Sequence, residues 1–192
     1  MSTAAIVHAM ADAWDVWSKQ ATFPFGRRRT GYCINATRTG IEALRILGIN
    51  TKPASVTMLV LNAAAEQLLR ADVPVTQWPE HAWSIGLGSS DDVGPNGEWS
   101  GHLLIDGGTF TLDLSSEVME RAGRITINCP MILPPLPSYG ERAAWSTHGH
   151  TVIMERAPQH NTWRKASGWK DRHPEIEREL AMRTEHVLAV TS

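Results

Sequence analysis

Three side chains have the types and settings of a nucleophile with its base. Cys33 stands in Gly31-Tyr32-Cys33-Ile34-Asn35-Ala36-Thr37-Arg38-Thr39-Gly40, where a glycine-led loop gives way to a helical pattern. A thiol there meets the first-turn N–H groups and the positive end of the helix dipole, and both favour thiolate over thiol. A free thiol, with a pKa of about 8.5, is mostly protonated at neutral pH and also needs a proton acceptor. His102 opens the run Gly101-His102-Leu103-Leu104-Ile105, and Asp113 closes Thr111-Leu112-Asp113. An imidazole can take the thiol proton, while a carboxylate on its other nitrogen fixes the tautomer and supports the imidazolium. The chemistry such a set performs is attack on an acyl carbon. The resulting oxyanion would be met by the Cys33 backbone N–H, with a second donor needed from residues 17–32.

The elements that must position these groups follow from spacing. Cys33, Ala36, Thr37, Gly40, Leu44 and Leu47 share one side of a helix, with Arg38 and Glu42 opposite at i, i+4. Ala36, Gly40 and Ala43 are small enough for close packing, and Gly48 suits the stop. A core cysteine would occupy the same side. Two strand-like runs flank Gly107-Gly108, a pair suited to a two-residue hairpin turn. That turn sets Asp106 against Thr109 and therefore His102 directly against Asp113, with Cβ atoms about 5 Å apart. Leu103, Ile105, Phe110, Leu112 and Leu114 then fall on the other face, to be covered by terminal helices. The His102 face, with Leu104, Asp106 and Thr111, is expected to look towards the start of the Cys33 helix.

The terminal helices are read over residues 4–19, capped by Ser2 or Thr3, and over 174–190, opened by Pro174. Ile6, Met10, Trp14 and Trp17 form the inward stripe of the first; Ile176, Leu180 and Val187 that of the second. Residues 55–61 read as a central strand, with Asn62 capping a short helix over 63–70. Further strands are expected at 83–87 and 150–155. Residues 159–173, rich in Trp, Lys, Arg and His, are expected to be exposed, and Cys129, before Pro130, reads as structural.

Composition narrows the class. With 42% hydrophobic and 20% charged residues in a chain of 192, the expectation is one ordinary folded domain. A net charge of −2 gives no reason to expect nucleic acid. Two cysteines, no basic-then-apolar leader and no long apolar run point to a cytoplasmic protein with no membrane partner. The basic run Arg27-Arg28-Arg29 is either a solvated loop or a feature of the active-site entrance favouring a carboxylate or phosphate. Arg28, Arg29, Tyr32 and Trp99 complete the set as candidate substrate-binding residues.

The order Cys33, His102, Asp113, with Leu44-Arg45-Ile46-Leu47-Gly48-Ile49 closing the helix, resembles the transglutaminase-like branch of the papain-like cysteine enzymes. Two features depart from that pattern. Leu103 follows His102 where Ala-Trp is common, and the 69 residues from Cys33 to His102 imply an insertion between strands. The resemblance implies an α+β fold, an antiparallel sheet packed on the Cys33 helix and flanked by terminal helices. The core spans about 31–115 of a single domain (1–192), with a C-terminal extension of about 134–192. It implies acyl transfer through a Cys33 thioester on a peptide, protein or small amide, with no cofactor and release to water or an amine. The alternatives are a non-catalytic protein of the same fold that binds a peptide or partner in the cleft, and a metal-binding module centred on His148 and His150, with His160 further on. Those histidines lack a cysteine pair or HExxH pattern and read as exposed loop residues.

Overall fold

In the computed structural model, the apolar run after Lys52 forms one long strand, β1 (Lys52–Asn62), from which the sheet grows to both sides. The structure describes residues 1–25, 32–93, 99–115, 130–147, 149–170 and 172–191, with the side chain of Ser167 left out. The other strands are β2 (Ser84–Leu87), β3 (His102–Asp106), β4 (Thr111–Asp113), β5 (Met131–Leu133), β6 (Arg142–Thr147) and β7 (His150–Arg156). They run in the order β5-β4-β3-β1-β7-β6, and β2 pairs with the second half of β1 beyond the end of β3. Every pairing is antiparallel. The fold is mixed α and β, with helices packed on an antiparallel sheet. Residues 134–192 are integral to it, since β7 pairs with β1 from Val56 to Asn62.

The α-helices among the described residues are α1 (Thr3–Ser18), α2 (Tyr32–Ile46), α3 (Ala63–Arg70), α4 (Ser167–Lys170) and α5 (Pro174–Thr191). Their ends follow local chemistry. The Ser2 hydroxyl accepts from Ala5 N–H at 3.2 Å, and the Asn62 side chain accepts from Ala65 N–H at 2.9 Å. Gly48, at φ +82°, ends α2, with Ile49 N–H reaching back to the Leu44 carbonyl at 2.8 Å. Glu42 does not pair with Arg38; it accepts from Arg45 at 2.9 Å and lies 3.5 Å from Arg172. None of these helices is long and apolar enough to cross a membrane.

Two apolar layers lie on opposite faces of β3 and β4. Ile105, Leu112 and Leu114 turn towards α1, α2 and α5, packing with Trp14, Leu44 and Leu180. Gly40 is what lets α2 sit so near, because a Cβ there would lie 2.5 Å from Ile105 Cδ1 and 2.7 Å from Leu114 Cδ1. The other face carries Ala54, Val56, Leu104, Met131 and Met154. His102 and Asp113 belong to this second face, as the Cα partners of Val56 and Met131. The body of α2 therefore covers the face opposite His102, contrary to the expectation from sequence. Only its first turn meets the histidine, where β3 begins.

The hairpin also differs from the tight turn expected at Gly107-Gly108. Ile105 faces Leu112 and Asp106 faces Thr111, so residues 107–110 all lie in the connection. Only Gly108 of the pair has positive φ (+78°), whereas a tight turn of the I′ type needs it at both central positions. Asp106 Oδ1 accepts from Gly108 N–H at 2.9 Å, the Phe110 carbonyl accepts from Gly107 N–H at 3.0 Å, and the Phe110 side chain drops into the helix-side core. The offset from the expected register is two residues. Side chains alternate with a period of two, so His102 and Asp113 stay on one face but become diagonal neighbours.

The loop before β3 has a strict requirement of its own. Gly88 has φ +73°, and a Cβ there would lie 2.0 Å from the Val56 carbonyl oxygen and 3.3 Å from His102 Cβ. Gly88→Ala is expected to cost about 1–3 kcal/mol, measured by urea unfolding. An unchanged midpoint would show that the backbone beside His102 yields freely.

Candidate active site

Cys33 is the second residue of α2, one of the first-turn positions whose N–H has no partner within the helix. Its Sγ lies 3.8 Å from the Gly101 carbonyl oxygen, at the residue preceding β3. Thr37, one turn on, donates from Oγ1 to the Leu103 carbonyl at 2.8 Å and locks the helix to the strand. The thiol is 6% exposed, His102 2% and Asp113 1%, so the three groups interact with little water between them.

His102 Nε2 and Asp113 Oδ2 are 2.9 Å apart. The diagonal offset is what the reach of an imidazole spans. Asp113 Oδ1 is held separately, accepting from Ser115 N–H and from Ser115 Oγ–H, each at 2.8 Å. Cys33, at the start of α2, also favours the protonated form of the same imidazole. Burial pulls the His102 pKa down, but the Asp113 charge and hydrogen bond, followed by those of Cys33, outweigh it and raise it to about 10. The imidazole therefore carries its proton at neutral pH, sandwiched between two groups that can be negative.

The other expected site residues divide. Trp99 is fully buried beside the thiol, in a cluster with Cys33, Ile34, Leu103 and Trp163. It forms a wall of the site rather than an exposed contact, and Gly101 lacks a side chain because a Cβ there would lie 2.0 Å from the Trp99 ring. Tyr32 faces away, packing among Trp14 and Phe23 with ring centres 6.3 and 6.2 Å away. Trp17 belongs to the same aromatic group, 5.4 Å from Phe23. Adjacent helix positions diverge by about 100°, so a ring at 32 and a thiol at 33 cannot line one surface. Arg28 and Arg29 lie outside the described residues, as do Cys129 and His148.

Sequence reading missed the segment that closes over this cluster. The described residues of 159–173 are mostly exposed or half-buried, broadly as expected, but not throughout: Trp163 and Ala166 are buried against Cys33 and Ile34, and Trp169 packs on them. Asp91 ties the segment to the strand, accepting from Trp99 Nε1 at 2.9 Å and from Thr162 N–H at 3.1 Å. Burial opposes charge on Asp91, yet the hydrogen bonds from Trp99 and Thr162 prevail and lower its pKa. The tryptophans and the turn-prone Asp91 were visible in sequence, but their meeting across 71 residues was not.

The set can hold a protonated imidazole against a sulfur at a helix start, an arrangement suited to nucleophilic thiol chemistry. Among the described residues, no three of His, Cys, Asp and Glu converge as metal ligands. His150 stacks on Trp83 at 5.2 Å. No family model, curated protein or solved structure matches this chain.

Proposed function

We propose that the protein is a thiol-dependent acyl-transfer enzyme in which Cys33 is the nucleophile, His102 its acid–base partner and Asp113 the group that orients His102. The observation carrying this reading is one buried imidazole with Asp113 at 2.9 Å on Nε2, its proton favoured also by Cys33 at the start of α2. The antiparallel sheet, the Cys-bearing helix and the order of the three residues are also what a papain-like fold of the transglutaminase-like branch would have.

In the proposed reaction the Cys33 thiolate attacks the carbonyl carbon of an amide. The oxyanion that forms lies near the Cys33 N–H and the positive end of α2. Collapse breaks the C–N bond, and the His102 imidazolium gives its proton to the departing amine, leaving a thioester on Cys33. His102, now neutral, takes a proton from water or an incoming amine as that group attacks. The thiolate leaves, and the imidazolium is restored. Water gives hydrolysis and an amine gives transfer.

Alkylation kinetics test the reading. Iodoacetamide should modify Cys33 at pH 6.5 about tenfold faster in the wild type than in His102→Ala, with the site followed by peptide mass spectrometry. At pH 6.5 full ionisation would offer about a hundredfold over a thiol of pKa about 8.5, and the lower nucleophilicity of a stabilised thiolate would take back about tenfold of that. Equal rates in the two proteins, both rising with an ordinary thiol profile, would sink the proposal in favour of a non-catalytic binding protein.

A further inference from the structure

The cations of the described residues are unevenly satisfied. Most of the arginines and lysines reach a carboxylate, at 2.6 to 3.8 Å, and Arg178 donates to the Pro174 carbonyl. Four others reach neither a carboxylate nor a carbonyl among the described residues: Arg38, Arg164, Lys165 and Lys170. In a chain of net charge −2, all four gather at α2 and the 162–170 segment that packs on the thiol cluster.

The two arginines are held there by aromatic rings. The Arg38 guanidinium lies 5.2 Å from the Trp169 ring centre, and that of Arg164 lies 4.2 Å from the Trp163 ring centre. The two indoles meet edge to face at 4.5 Å, and Trp163 is in the same packed cluster as Cys33. Arg38 is five residues beyond Cys33 on α2, about 7.5 Å along the axis and about 140° around it, so it meets the thiol cluster through Trp169, which packs on Trp163. A guanidinium stacked on an indole loses freedom but keeps its N–H edge for an acceptor, and that planar fork matches a carboxylate. Trp169, half-buried, adds an apolar surface between the charges.

We propose that Arg38, Arg164 and the Trp163–Trp169 pair form an anionic subsite of the Cys33 centre, which receives an acidic side chain of a peptide substrate close to the amide that reacts. The assignment of the bound peptide as substrate rests on Cys33 being the nucleophile; the binding surface itself does not. It agrees in sign with the preference anticipated for Arg28 and Arg29 but stands on different residues.

The test compares two alkylating reagents of one size and opposite charge state. Iodoacetate should modify Cys33 faster relative to iodoacetamide than it does a free thiol, and this ratio should fall roughly fivefold in Arg38→Gln/Arg164→Gln. About twofold per charge is expected at ~8 Å in water. Added 0.5 M NaCl should narrow the ratio in the wild type. A wild-type ratio equal to that of a free thiol, unchanged in the double variant, overturns the subsite while leaving the nucleophile intact. If Cys33 resists both reagents, the nucleophile falls and calorimetry decides the subsite alone. An acetylated tetraglutamate amide should then bind the wild type at least several-fold more tightly than its tetraglutamine counterpart and lose that advantage in the double variant. Equal binding of the two peptides overturns it.

Discussion

Asp113→Ala is expected to lower stability by about 3–5 kcal/mol, because it removes one partner from a buried charged pair and leaves the other without compensation. Asp113 is 1% exposed and accepts from three donors: His102 Nε2 at 2.9 Å and the Ser115 N–H and Oγ–H at 2.8 Å each. Alanine leaves all three donors facing a small cavity, and the imidazole loses the carboxylate that keeps it protonated. Asp113→Asn separates the contributions. It retains an oxygen for Ser115 and a shape close to the original, so its loss should be clearly smaller, and what remains reports the charge on His102. Urea unfolding at pH 7 measures both. A loss under about 1 kcal/mol for Asp113→Ala would mean that water or a neighbouring donor replaces the carboxylate at little cost. In either variant the alkylation advantage of Cys33 should shrink with the charge on His102.

The pair was legible in sequence for a reason that tolerated an error. Gly107-Gly108 located the hairpin but not its turn, and an even offset returns the same residues to the same face. A one-residue slip would have put Asp113 on the helix side in place of Leu112 and Leu114 and dissolved the site. Elements whose signals are local were readable too: Asn62 as a cap, Gly48 as a stop and Pro174 as a helix opening. What escaped was whatever depends on partners distant in sequence. β6 (Arg142–Thr147) is an outer strand with alternating exposed and half-buried positions and a mostly polar or alanine sequence, so no apolar run announced it. The 159–173 segment has the composition of a solvated loop, yet Trp163 is 3% exposed. Arg164 covers its indole and Asp91 anchors the neighbouring Thr162, and neither contact is encoded in spacing.

The second large effect is a pH dependence of stability with a defined sign. The folded His102 pKa is about 10, above its ordinary value of 6.5. Between these values the folded protein holds a proton that the unfolded chain has released, so stability must fall as pH rises. The contribution of His102 is therefore complete below pH 6.5 and is lost as pH climbs through about 10. The slope is on the order of 1 kcal/mol per pH unit for one proton. Unfolding midpoints from pH 6 to 10 should decline more steeply in the wild type than in His102→Gln, with other titrating groups common to both. Parallel curves would show that the imidazole is neutral when folded. The partners can then be ranked. Asp113 contributes more than Cys33 to holding the proton, so Asp113→Asn should pull the upper end of the decline down further than Cys33→Ala does. In the proposed reaction the smaller Cys33 share is the one that bears on turnover. If the sulfur rests as the thiolate of the proposed reaction, capping it with iodoacetamide removes that charge, so the capped protein should lose the proton at lower pH than the free one. An imidazolium that loosens its proton only once the thiolate is consumed can protect the nucleophile at rest and still deliver that proton to a departing amine. If capping leaves the pH profile of stability unchanged, His102 is held for the fold by Asp113 alone, and its coupling to Cys33 is too weak to run the reaction.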